Sequence, residues 1–210
     1  MSAAAEARAA TRWLTIGVAA MVVAFLLLDQ PIARFVHAFH FALPWFARMP
    51  MVAEPFPLLS GTAIGLALCA ACFGWRPGPV ARAILVMALA VIVVTLLKDG
   101  LKFVFGRTWP ETWVENNPSL VRDGVSGFHW FHGGRGFTSF PSGHTAVAAA
   151  PAAVAWHCFP RWRWAAVAVA VLVALGLVGA NFHFLSDVIA GGLLGVMVGA
   201  GMTRLWQNWL

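Results

Sequence analysis

Three short stretches hold most of the residues able to handle an anion. Lys98, Lys102 and Arg107 close one apolar run, Arg135 and Pro141-Ser142-Gly143-His144 open another, and His183 and Asp187 follow. Lys98 and Lys102 are one helical turn apart and share a face. Ser142-Gly143-His144 stands where a loop becomes a small-residue helix. The first N–H groups of such a helix lack internal partners and its dipole is positive, so the position attracts anions. Gly143 lets the backbone approach the anion closely, and His144 adds an acid or base that works near neutral pH. His183 and Asp187 are four apart and share a face if helical. A carboxylate bonded to one imidazole nitrogen fixes the tautomer and frees the other nitrogen as a nucleophile.

Two histidines, one carboxylate and several cations make a poor metal site but suit phosphoryl transfer. Cations and N–H groups hold the phosphate, one histidine attacks, and the other protonates the leaving oxygen. Each piece also has a plain structural reading. Lys98 could snorkel to a membrane interface, and His183 could be a satisfied buried histidine beside an N-capping Asp187. His129 and His132 lack acidic companions for a metal and read as loop residues.

The elements that must position these groups follow from composition. Of the 210 residues, 60% are apolar and 10% charged, with mean hydropathy +0.79. Soluble domains carry about 25% charged residues, so the chain belongs in a membrane. Six apolar segments run over 13–29, 55–75, 80–103, 142–159, 164–183 and 185–205, each able to form a span. The expected fold is all-α: a polytopic six-helix bundle forming a single domain over 1–210, with a long connection near 104–140 between spans 3 and 4. Connections of that length usually carry function. The aromatic stretch FVHAFHFALPWFARM, with His37 and His40, reads as an interfacial segment. The first apolar run lacks a convincing cleavage site and reads as a retained span.

An even number of spans puts both termini on one side, with Arg8, Arg12, Arg76, Arg82, Arg161, Arg163 and Arg204. Arg34 and Arg48 fall opposite, with Lys98, Lys102, Arg107, Arg122 and Arg135 in or beside the long connection. Discounting the latter as site charges puts both termini in the cytoplasm and the long connection outside, at a bacterial-type inner membrane. The net charge of +6 then concerns topology and anionic head groups, and no nucleic-acid motif is present. Cys69, Cys72 and Cys158 read as buried small hydrophobes. Gly191, Gly195 and Gly199 form a small-xxx-small face, either for close packing inside the bundle or for a homodimer.

In order and spacing, these stretches resemble the type 2 phosphatidic acid phosphatase superfamily of membrane lipid phosphatases. Its signature is Lys, six residues, Arg-Pro; then Pro-Ser-Gly-His; then Ser-Arg, five residues, His, three residues, Asp. Here Lys102 is followed after six residues by Trp109-Pro110, Pro141–His144 is intact, and Gly176-Leu177 precede His183 and Asp187 at the right spacing. The likeness covers residues 98–191. It implies metal-independent and cofactor-free hydrolysis or transfer of a lipid phosphate or diphosphate. His183 would be the nucleophile, Asp187 its partner and His144 the general acid. Lys102, Ser142 and the Gly143 N–H would hold phosphate.

The family's two phosphate-binding arginines fall here on Trp109 and Leu177. Each charge-assisted bond to phosphate contributes about 1.5–3 kcal/mol, so Arg107 and Arg135 are the expected replacements. Expected substrates are undecaprenyl phosphate or diphosphate, phosphatidylglycerophosphate, phosphatidic acid or lipid A, bound from the lipid bilayer. The rival expectations are a catalytically degenerate lipid-phosphate-binding protein and a transporter or channel with a polar path across the membrane.

Overall fold

In a computed structural model of the chain, residues 3–39, 44–113, 115–207 and 209 are described, with side chains from Arg8 onward. Part of the expected interfacial segment, His40 to Leu43, lies outside these residues. Among the described residues the regular structure is helical, with isolated bridges in the long connection, Arg107 to Phe128 and Thr138, and Trp109 to Ser119.

The first apolar run becomes α1 (Ala3–Val23), passes through a π-helical turn at Ala24–Leu28, and continues as α2 (Asp29–Ala38). Short α3 (Pro44–Arg48) and a 3₁₀ turn at Met49–Ala53 lead to α4 (Phe56–Cys72). Arg-Pro-Gly-Pro then turns the chain into α5 (Pro79–Phe105). Proline at the first helical position suits this start, because its missing N–H would be unpaired there anyway. Gly106 ends α5 in the left-handed region at φ 55°. A Cβ at that position would also run into the His129 carbonyl, so glycine is required twice over. The long connection holds one-turn α6 (Leu120–Asp123). After it come α7 (Gly143–Cys158), α8 (Arg163–Gly179) and α9 (Leu185–Leu205).

Helix α7 is the axis of the bundle. Ala146 to Ala150, Ala152, Val154 and Ala155 are all buried, against α5 on one side and α8 and α9 on the others. Val86, Ala90, Val91 and Val94 of α5 meet Ala146, Val147, Ala150 and Val154. Ala53, Val173, Leu177 and Val188 close around Ala148. The glycine stripe of α9 packs on α7. A Cβ on Gly191 would strike the Ser142 carbonyl, one on Gly195 would meet Ala149 Cβ at 2.7 Å, and one on Gly199 would meet Ala153 Cβ at 2.8 Å. The stripe is therefore used inside the chain, which removes the expected dimer face. Between apolar helices in lipid there is no hydrophobic driving force, and this close approach supplies van der Waals packing instead.

Among the described residues, four helical stretches are long and apolar enough to cross a membrane: Arg8–Ala38, Pro44–Cys72, Pro79–Phe105 and Leu185–Leu205. Helix α8 is a shorter apolar helix. The cysteines depart from expectation: Cys69 and Cys72 are exposed and Cys158 is half-buried. Helix α4 lies on the outside of the bundle, so an apolar sequence there means an outward-facing helix.

Candidate active site

The C-terminal end of α5, the start of α7 and the start of α9 meet at one end of the bundle. Asp187 is the pivot. At the third position of α9 its Oδ2 accepts the Phe184 N–H at 3.1 Å, which caps the helix and holds the carboxylate still. The same oxygen accepts the Ser139 hydroxyl at 2.6 Å and lies 3.4 Å from His183 Nδ1. Ser139 Oγ is also 3.3 Å from His183 Nδ1. A proton on Nδ1 directed at the carboxylate leaves Nε2 as the ring's free nitrogen. Burial pushes the His183 imidazole below its ordinary range, while its hydrogen bond to Asp187 acts the other way. The net direction is downward, which favours the neutral form of the ring.

The Asp187 carbonyl accepts the Ser142 N–H at 3.0 Å, tying the start of α9 to the start of α7. Ser142 Oγ lies 3.1 Å from Thr145 Oγ1. His144, one residue into α7, is half-buried and lies within electrostatic reach of His183, Lys102 and Lys98. Lys102 Nζ donates to the Thr138 carbonyl at 2.7 Å and sits 5.9 Å from the centre of the Trp109 ring. The Lys98 stem crosses Gly143, so a Cβ there would meet Lys98 Cδ at 3.0 Å. Lys98, also paired to Asp99 at 2.6 Å, reaches the α7 start and does more than snorkel. Lys102, Ser142, Gly143, His144, His183 and Asp187 are thus gathered as their spacing suggested.

The two arginines expected to replace the missing pair go elsewhere. Arg107 is buried and commits both terminal nitrogens to carboxylates: Nη2 donates to Asp29 at 2.7 Å and Nη1 to Asp187. Nη1 also donates to Ser186 Oγ at 2.7 Å. The rings of Phe184, Phe25 and Phe128 enclose the guanidinium at 4.3, 5.1 and 5.2 Å. Arg107 therefore stands behind Asp187, because two fixed anions outcompete a site open to water. Arg135 is exposed and pairs with Glu115 at 3.3 Å. Only its carbonyl takes part near the site, accepting Trp109 Nε1 at 3.0 Å. Trp109, at the position of a family arginine, lays its ring 5.0 Å from His183. Leu177, at the other, is in the apolar core. His129 and His132 pack on Phe137, and His132 Nδ1 lies 2.6 Å from the Gly133 carbonyl.

Sequence reasoning missed Asp29, Ser139 and Ser186. Asp29 did carry a signal, being the only acid between Arg8 and Ala38, and an acid inside an apolar span is costly unless used. The two serines carried none.

An all-helical bundle with membrane-length apolar helices, holding two histidines, a carboxylate and lysines around one helix start, defines a narrow class of protein. The chain belongs to the PAP2 superfamily, whose family model matches residues 79–210. It is 36% identical to a lipid A 1-phosphatase of Rhizobium etli over 101 residues, which are 48% of this chain and 40% of that protein. A lipid A 1-phosphatase of Rhizobium johnstonii matches at 36% over 101 residues, 38% of its length. These matches thus span well under half of either relative. The fold is similar to the crystal structure of a transmembrane PAP2 type phosphatidylglycerolphosphate phosphatase from Bacillus subtilis. That likeness has a TM-score of 0.54 at 24% identity and covers 95% of both chains.

Proposed function

We propose that the chain is a metal-independent membrane lipid phosphatase working through a phosphohistidine. The observation that carries this reading is the His183–Asp187–Ser139 cluster facing the α7 start, with His144 and Lys102 in reach. In the first step His183 Nε2 attacks phosphorus and the bond from phosphorus to the lipid oxygen breaks. Protonated His144 gives its proton to the departing alkoxide. In the second step His144 takes a proton from water, the water oxygen attacks phosphorus, and the P–N bond breaks. Inorganic phosphate leaves and His183 regains its lone pair. Asp187 accepts the Nδ1–H throughout and offsets the charge on the phosphorylated ring. Lys102, Lys98, Ser142 and the Gly143 N–H hold the phosphoryl oxygens.

The surroundings support a lipid substrate. An apolar cleft of about 550 Å³ between α7, α8 and α9 is lined by Ala149, Ala153, Val171 and Val196. Its walls include Thr145 and Val188, the chain neighbours of His144 and Asp187, so a lipid tail there would keep its head group at the histidines. Lipid A and phosphatidylglycerophosphate, for which the relatives are named, stand with undecaprenyl phosphate or diphosphate and phosphatidic acid as candidates. We read six spans, with α7 and α8 crossing as short helices, both termini cytoplasmic and the site at the outer face of the inner membrane.

A second reading is favoured by Trp109 and Leu177 at the family's arginine positions: a chain that binds lipid phosphate without turning it over. One experiment separates the two. Phosphate release by purified protein in detergent, from a panel of lipid phosphates with EDTA present, is compared with His183→Ala and His144→Ala. Release that survives EDTA and vanishes in both variants supports the phosphatase. No release from any lipid by folded protein sinks it and leaves the binding protein.

A further inference from the structure

Behind the histidines lies a buried cluster drawn from four separate parts of the chain. Arg107 from the long connection bridges Asp29 of α2 and Asp187 of α9. Ser186 completes it: its N–H donates to Asp29 Oδ1 at 2.9 Å, and its hydroxyl to Asp29 Oδ2. Ser139, before α7, joins from the other side of Asp187. Asp29 comes directly after the π-helical turn at Ala24–Leu28. Such a turn inserts an extra residue into the helix and rotates the residues beyond it, and it is common at functional sites. Asp29 also lies outside the residues matched by the family model, 79–210.

We propose that Asp29 and Arg107 are positioning residues that set the charge and orientation of Asp187, and through it the reactivity of His183. The inference rests on the phosphohistidine reading. Its physical basis is a charge count. Asp29, Arg107 and Asp187 together carry one negative charge while His183 is neutral. When His183 bonds to phosphorus and keeps its Nδ1 proton, the ring becomes cationic and the cluster reaches neutrality. Without Asp29 the cluster is neutral at rest and must hold an uncompensated buried cation in the intermediate, which is costly. Arg107 fills the opposite role. It occupies Asp187 Oδ1, so that only Oδ2 serves the histidine, and it keeps two buried carboxylates from meeting unpaired.

The other groups facing His183 are Lys102 from α5, His144 from α7, with Lys98 beyond it, and the Trp109 ring. All stay in place in the variants below. The measurement is the pH profile of kcat for phosphate release in detergent, whose acid limb reports protonation of His183. Asp29→Asn keeps the shape and removes the charge. It is expected to lower kcat at least about tenfold with KM little changed, and to move the acid limb down by about one pH unit. Arg107→Gln, and Asp29→Asn with Arg107→Gln together, should move the limb up, because the arginine bonds Asp187 directly and Asp29 reaches it only through Arg107 and Ser186. A merely structural role would reduce the yield of folded enzyme without moving the limb in opposite directions.

If Asp29→Asn does not fold, the direction seen in Arg107→Gln decides. Unmoved limbs in folded variants of an enzyme that His183→Ala inactivates would overturn the inference alone. Wild-type protein that releases no phosphate, or release that survives His183→Ala, would overturn the phosphohistidine reading and this inference with it.

Discussion

The seam between α7 and α9 and the knot at its end solve packing in opposite ways. Along the seam Gly191, Gly195 and Gly199 lie against Ala146, Ala149, Ala150, Ala153 and the Ser142 carbonyl, with no charge and no side-chain hydrogen bond needed. Its stability comes from many weak contacts that require close backbones. At the end, two carboxylates, a guanidinium, two serines and a histidine are buried together. Such a cluster gains little net stability over apolar packing and becomes expensive when one member is removed. The seam tolerates no added volume, and the three charged members of the knot, Asp29, Arg107 and Asp187, tolerate no lost partner. The seam holds the helix starts in register, so that the knot can hold one imidazole in one orientation.

The sharpest break of that contrast is at His183. His183→Ala should abolish phosphate release while the protein remains folded in detergent, since the small side chain does not disturb the seam. Gly195→Leu should do the reverse. The side chain has nowhere to go, so folded yield and thermal stability collapse, and activity per folded molecule is the quantity to compare. Arg107→Ala, which strands two buried carboxylates, should cost about 3–5 kcal/mol by denaturant titration. Ser139→Ala removes one hydrogen bond to Asp187 and should cost about 1.5–3 kcal/mol, with a clear fall in kcat.

The pH dependence of stability tests the knot in another way. The folded His183 lies below the unfolded value of about 6.5, so the unfolded chain binds the proton first. Stability should be intact above that pH and fall as pH drops through the window beneath it, more steeply than in His183→Asn. At the small end, exposed Arg135→Ala should change stability by less than about 1 kcal/mol and leave phosphate release unchanged, because its side chain faces Glu115. A large loss of activity in that variant would return Arg135 to the phosphate.

Much of the fold is legible in the amino-acid sequence. Helix bounds for five of the six apolar segments fall within a few residues of expectation, because apolar runs bounded by Pro, Gly and Arg leave little choice. The gathering of Lys102, Ser142, His144, His183 and Asp187 is likewise readable, since two of the stretches open helices and one closes a helix, and all pack at one end. The first segment runs longer than expected, to Ala38 through its π-helical turn, and that extension is what delivers Asp29. Arg107 departs from expectation for a definite reason. Spacing says that a cation is near a phosphate site, but not which of several anions it faces.

The sequence by itself determined the membrane setting and the helices, because these depend on local composition and periodicity, and it marked the residues that meet at the start of α7. Only the tertiary structure decided the partners. Whether the glycine stripe faces α7 or a second copy depends on how helices distant in sequence pack. The same holds for whether Arg107 meets phosphate or two carboxylates, and for whether Asp29 is idle or buried against Ser186. The ion pairs of Arg107 with Asp29 and Asp187, and the bond from Ser186 to Asp29, join residues 78 or more positions apart, where no local pattern reaches.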